Sequence, residues 1–132
     1  MEQTDTERLA IKPESLDKPA RYNLGIQFGN LVFTAGITGN DPASGDIVAG
    51  GIGPQTKQTL ENIETILREA GTSLERAIRV DVYLANVDDF AGYNEVWEQY
   101  FGSGATQPVR TTVVVNGFKG DVIVEITVIA AK

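Results

Sequence analysis

The 132-residue chain, 42% hydrophobic, has room for one domain with a sizeable core and no need of a second. Its net charge of -7, with eleven basic residues scattered along it, argues against nucleic acid, whose phosphates are bound by clustered Lys and Arg. Cysteine and histidine are both absent, which excludes disulfides, thiolate nucleophiles, His-based triads and the usual zinc sites.

Residues 1–19 form a polar N-terminal segment, in which Leu9, Ala10 and Ile11 can add a short strand before Pro13. The segment is charged and lacks the apolar run of a signal peptide. No later stretch approaches the roughly 20 apolar residues of a membrane span, so a cytoplasmic protein without membrane contact is expected. Tyr22–Phe28 and Leu31–Thr34 read as two strands around Gly29-Asn30, a dipeptide that reaches positive φ readily and predicts a tight hairpin. Residues 35–54 are loop-rich, with a short strand at Asp46–Ala49. Gly50, Gly51 and Gly53 are better explained by a turn before a helix than by a phosphate loop, because no GK[ST] ending follows.

From Pro54 to Ala70 the residues Leu60, Ile63, Ile66, Leu67 and Ala70 recur at helical spacing, with Gly71 placed to end the helix. Ala77–Leu84 alternates Ile78, Val80, Val82 and Leu84 with Arg79, Asp81 and Tyr83, the pattern of a half-exposed strand. Asp88 or Asp89 is placed to cap a helix over Phe90–Phe101. Its stripe of Phe90, Tyr93, Trp97, Tyr100 and Phe101 reads as core, with Asn94 one step off it.

The last two strands each carry one charge in an apolar run. Val109–Val115 is β-branched throughout except for Arg110, and Val122–Ala130 is the most apolar stretch of the chain except for Glu125. The even positions of the second run, Val122 to Ala130, make one apolar face, and Ile123, Glu125, Thr127 and Ile129 make the other. A carboxylate there loses hydration unless it is paired, so Glu125 has either a raised pKa or a partner. If Asn116–Asp121 is a six-residue hairpin loop, Val115 faces Val122 and Thr112 faces Glu125, leaving Arg110 diagonal to Glu125 on the same face. Two readings stay open: a structural ion pair at a strand end or subunit interface, or a carboxylate-gripping arginine beside an acid or base, half of a site for a small 2-oxo or 2-imino acid. Two helices cannot cover both faces of a sheet of five or more strands, so another subunit is the expected cover for the second face.

FTAG at Phe33–Gly36, QTKQTLENIETILREAG at Gln55–Gly71, VDVYLANVDDFAGYNEVWEQYF at Val80–Phe101, QPVRTTVVV at Gln107–Val115 and VEITVIA at Val124–Ala130 together resemble the RidA (YjgF) family of imine and enamine deaminases, from Tyr22 to Ala131. The resemblance implies an α+β, chorismate-mutase-like fold of order ββαβαββ, with two helices on one face of a mixed sheet. It also implies a homotrimer with clefts between subunits. Arg110 matches the family's carboxylate-binding arginine, and Glu125 the glutamate that holds the attacking water. Tyr22 matches a cleft tyrosine, Asn94 an asparagine near the cleft, and Thr112 a position whose backbone contacts substrate. Ala35, Gly36 and Ile37 stand where archetypal members have Ser-Gly-Gln, with Ala35 and Gly36 counted among the substrate-binding positions. Arg21 replaces a proline, and Gly117-Phe118-Lys119 replaces a Leu-Pro in the last loop.

The activity so implied is hydrolysis of reactive 2-imino acids, or of 2-aminoacrylate-type enamines, to 2-oxo acids and ammonia. The apolar residues at 35 and 37 suggest a larger or more apolar imine. An iminium carbon is already electrophilic, so no metal or organic cofactor is expected. The alternatives are a non-catalytic trimer that binds 2-oxo acids or other metabolites and, against the acidic charge balance, a ribonuclease.

Overall fold

The structure, a computed structural model, describes residues 7–132 except Ala105; the first six residues of the polar N-terminal segment lie outside it. Its strands are β1 (Arg8–Ile11), β2 (Gly25–Phe28), β3 (Leu31–Thr34), β4 (Ala77–Leu84), β5 (Val109–Val114) and β6 (Val124–Ala131). Its helices are α1 (Ile52–Glu69) and α2 (Phe90–Phe101). The strands form one mixed sheet in the order β1-β2-β3-β6-β4-β5, in which every pair is antiparallel except the parallel β4 and β5. The α+β architecture with both helices on one side is as expected, but β1 precedes the ββαβαββ order and makes a third strand before α1.

That side is set by alternation along the strands. Val124, Ile126, Val128 and Ala130 of β6, Val80, Val82 and Leu84 of β4 and Val32 of β3 are all buried under the helices, which contribute Leu60, Ile63, Ile66 and Leu67 from α1 and Tyr93, Val96, Trp97 and Phe101 from α2. α1 starts at Ile52, so Pro54 lies in its first turn, where its missing N–H costs no hydrogen bond. It ends as the sequence predicts, on Gly71 at φ 85°: the Gly71 and Thr72 N–H groups donate back to the Arg68 and Leu67 carbonyls at 3.0 and 2.9 Å.

Two local expectations are corrected. Asp89 stands at the cap position of α2 with a helical backbone (φ -84°, ψ -3°) and makes no side-chain cap bond, because a 3-10 turn over Val87–Asp89 already leads into the helix. Asp46–Ala49 forms no strand, only a bridge between Asn40 and Ile47. Its loop is pinned to α1 by buried Asn62, whose Nδ2 donates to the Thr38 and Asn40 carbonyls at 3.1 and 2.9 Å.

The larger correction concerns the last two strands, which are not a hairpin. β4 lies between β5 and β6, and Arg110 pairs with Val80 while Glu125 pairs with Tyr83. The parallel β4–β5 pairing needs a long crossover, which α2 provides. The segment 115–123 then steps over the end of β4, with Val115 N–H donating to Leu84 O at 2.8 Å and Ala85 N–H to Ile123 O at 3.0 Å. Nine residues easily span two strand spacings of roughly 4.8 Å each. Buried Gln55 fastens the far end: its Nε2 donates to Asp121 O at 2.9 Å, and its Oε1 accepts from Ile123 N–H at 3.1 Å.

Among the described residues no helix covers the opposite side of the sheet. Phe28, Phe33, Val109 and Val113 project there with 42, 36, 55 and 40% of their surface exposed. Among the described residues no helix is long and apolar enough to cross a membrane.

Candidate functional site

Arg110 sits on the edge strand, on the helix side of the sheet, because its register partner Val80 faces the core. Beyond the edge its guanidinium lies over α2. The central carbon is 4.7 Å from the centroid of the Trp97 ring and 5.4 Å from that of Tyr93, a double cation–π contact. Nη1 donates to Asn94 Oδ1 at 2.8 Å. The Tyr93 hydroxyl is 3.0 Å from Thr112 Oγ1. Burial raises the Tyr93 pKa, against the opposing pull of that hydrogen bond and of the Arg110 charge, so the ring stays a neutral platform. One amide and two ring faces thus hold the guanidinium, and the residue remains exposed. That arrangement suits two-pronged binding of a carboxylate.

Glu125 sits on the other side of the sheet with Tyr83 and Val113. It is half-buried, and among the described residues no Lys or Arg pairs with it. Burial therefore pushes its carboxyl pKa above the ordinary range. The carboxyl packs flat against the backbone of Gly36, where an added Cβ would lie 2.8 Å from Glu125 Cδ. Gly36 also belongs to the wall of a cavity of about 260 Å³, along with Leu16, Tyr22, Leu24, Thr38 and Asn62. Tyr22, 59% exposed, stands at its mouth.

The predicted residues thus fall into two groups. Arg110, Asn94 and Thr112 meet around Tyr93 on the helix side. Glu125 packs against Gly36 on the other side, and Gly36 and Tyr22 line the cavity, whose wall does not include Glu125. The diagonal contact of Arg110 with Glu125 expected from a hairpin does not exist: the inserted β4 turns the two side chains to opposite faces of one chain. Ala35 packs against the core and does not line the cavity. Ile37 does line it, yet is only 7% exposed, and its backbone exchanges two hydrogen bonds with Ile126, so the apolar wall expected at positions 35 and 37 is turned mostly into the core. Tyr93 and Trp97 are core, as their spacing predicts, but they are also the arginine's platform. The available signal was their i,i+4 spacing on either side of Asn94.

A raised carboxyl pKa means the folded chain holds a proton that the unfolded chain releases, so stability falls as pH rises through the ordinary glutamate range toward the raised value. Glu125→Gln cannot ionise. The melting temperature of this variant relative to the parent should therefore climb as pH rises above about 4.3, the ordinary glutamate value. A difference that stays flat above that value in thermal melts would mean the carboxyl is not desolvated.

A family profile described as Endoribonuclease L-PSP matches residues 13–132. A RutC family protein of Pyrococcus abyssi is 44% identical over 123 residues, 92% of this chain and 95% of that protein. The 2-iminobutanoate/2-iminopropanoate deaminase of Bos taurus is 35% identical over 111 residues, 84% of this chain and 80% of the deaminase. Among solved structures, E. coli TdcF with bound serine superposes with a TM-score of 0.86 at 33% identity, covering 94% of this chain and 98% of the other.

Proposed function

The chain belongs to the endoribonuclease L-PSP family, which includes YjgF and RidA, and from that membership we propose that it hydrolyses 2-imino acids to 2-oxo acids and ammonia without a cofactor. The observation that carries this reading is Glu125: an unpaired, half-buried carboxyl whose pKa burial raises, set against a glycine in a cavity wall, is suited to take and return a proton. The deaminase name of the bovine relative supports the same chemistry.

Because Arg110 and Glu125 face opposite ways, the working site needs two copies of the chain. Arg110 of one copy grips the substrate carboxylate. Glu125 of its neighbour removes a proton from water as the oxygen bonds to the imine carbon. The same carboxyl returns that proton to nitrogen, giving the neutral amino alcohol; it then carries the hydroxyl proton to the amine, so that the carbon–nitrogen bond breaks and ammonia leaves as the carbonyl forms. The exposed apolar side of the sheet and the unpaired edge of β5 favour such an assembly, and a homotrimer closed around that face is the arrangement we propose. In an assay, imines made by an amino-acid oxidase should lose nitrogen faster when the protein is present, read as ammonia release and as reduced trapping by semicarbazide. Identical rates with and without protein would remove hydrolysis from consideration.

A second reading, a non-catalytic binder of 2-oxo acids, is favoured by the absence of a hydroxyl or amide at Ala35 and Ile37. It predicts ligand binding that Glu125→Gln leaves intact, with no turnover to lose. The ribonuclease named in the family description finds no support in a chain of net charge -7.

A further inference from the structure

We propose that the recess on the far side of Tyr22 receives a second acidic group of the substrate, so that the favoured imines are dicarboxylic, of the 2-iminosuccinate and 2-iminoglutarate kind. The inference rests on the hydrolytic reading for its substrate but not for its binding site.

The recess has a volume of about 320 Å³ and is lined by Lys12, Lys18, Arg21, Tyr22, Asn23 and Leu24 among others, with no Asp or Glu in its wall. Three of the chain's eleven basic residues thus share one concavity of a protein whose net charge is -7. Among the described residues none of the three forms an ion pair. Like charges gathered without counter-charge repel one another, and a bound anion relieves that repulsion. The recess adjoins the site described above: Lys18, Pro19, Tyr22 and Leu24 line both it and the cavity walled by Gly36. A substrate whose reacting carbon lies near Gly36 and Glu125, with its first carboxylate on the neighbour's Arg110, can extend its side chain past Tyr22. There it meets cations, and an apolar side chain would gain nothing.

The test uses stable product analogues, so it does not depend on turnover. Calorimetric titration of the whole protein should show 2-oxoglutarate binding at least about tenfold tighter than 2-oxobutanoate, the gain of one or two charge-assisted contacts. The double variant Lys12→Gln with Arg21→Gln should bring the ratio of the two affinities to about one. Arg21→Lys, which keeps the charge, should retain most of it. A wild-type ratio near one, a ratio the double variant leaves unchanged, or failure to bind either oxo acid overturns the proposal. A protein that discriminates between the two acids yet hydrolyses no imine keeps the recess and loses the enzyme; one that hydrolyses imines with a ratio near one does the reverse.

Discussion

Chains carrying Arg110→Ala and chains carrying Glu125→Gln, each about 10³-fold slower than the parent in releasing ammonia from 2-imino acids, are expected to regain about a quarter of the parent activity when unfolded together in equal amounts and refolded. The reason is the insertion of β4. It sends Arg110 to the side of the sheet that holds Val80 and Glu125 to the side that holds Tyr83, so the proposed mechanism takes the two groups from two different copies. In the proposed ring, each boundary would join the arginine side of one copy to the glutamate side of the next. With the two variants mixed at random, about one boundary in four receives both native residues. A site formed within a single chain would gain nothing from mixing. Gel filtration should find both variants and the mixture at parental size, and a mixture no faster than its components would rule out the shared site.

Gly36→Ala should lower kcat/KM by about a hundredfold while leaving the melting temperature within a few degrees of the parent. The backbone at Gly36 is not in the left-handed region, so alanine brings no conformational strain of its own. What it brings is a methyl group 2.8 Å from Glu125 Cδ, in space the carboxyl now fills. The side chain must swing away, which rehydrates it and removes the desolvation that raises its pKa. The acidic limb of the pH–rate profile should therefore move to lower pH as the rate falls. Gly53→Ala, where an added Cβ meets nothing within 4 Å, is the matching control and should change neither rate nor profile. Full activity in Gly36→Ala would detach Glu125 from the chemistry.

The elements legible in the sequence were those whose signal is local. Alternation in Ala77–Leu84 and helical spacing in Phe90–Phe101 gave the bounds of β4 and α2, and Gly71 marked the end of α1 because only a residue free of Cβ strain reaches φ 85° there easily. Pairing was not legible. Two β-branched runs separated by Asn116–Asp121, with glycines at both ends of the loop, carry the same local pattern whether they pair with each other or with a strand placed between them. One clue lay in Val124–Ala131 itself: apolar residues on both of its faces mark a strand enclosed by neighbours, and β6 has β3 on one side and β4 on the other. Arg110 and Glu125 stood out because charges are rare in such runs. Their separation onto opposite faces followed from the topology, which no pattern within either strand records. Gln55 and Asn62 went unnoticed because a buried amide within an amphipathic helix reads as part of its polar face until the loop it holds is seen.

The position of β6 also governs when this protein can fold. Among the described residues the three-stranded portion β1-β2-β3 and the pair β4-β5 share no ladder with each other, and within the sheet residues 124–131 alone join them. A ribosome that has not passed Ala131 therefore carries two incomplete sheets, each with an adhesive border exposed to chains on neighbouring ribosomes. The join closes over long separations in sequence, such as that between Val32 and Ala130. Closure of the full sheet thus waits until residues 124–131 have left the ribosome.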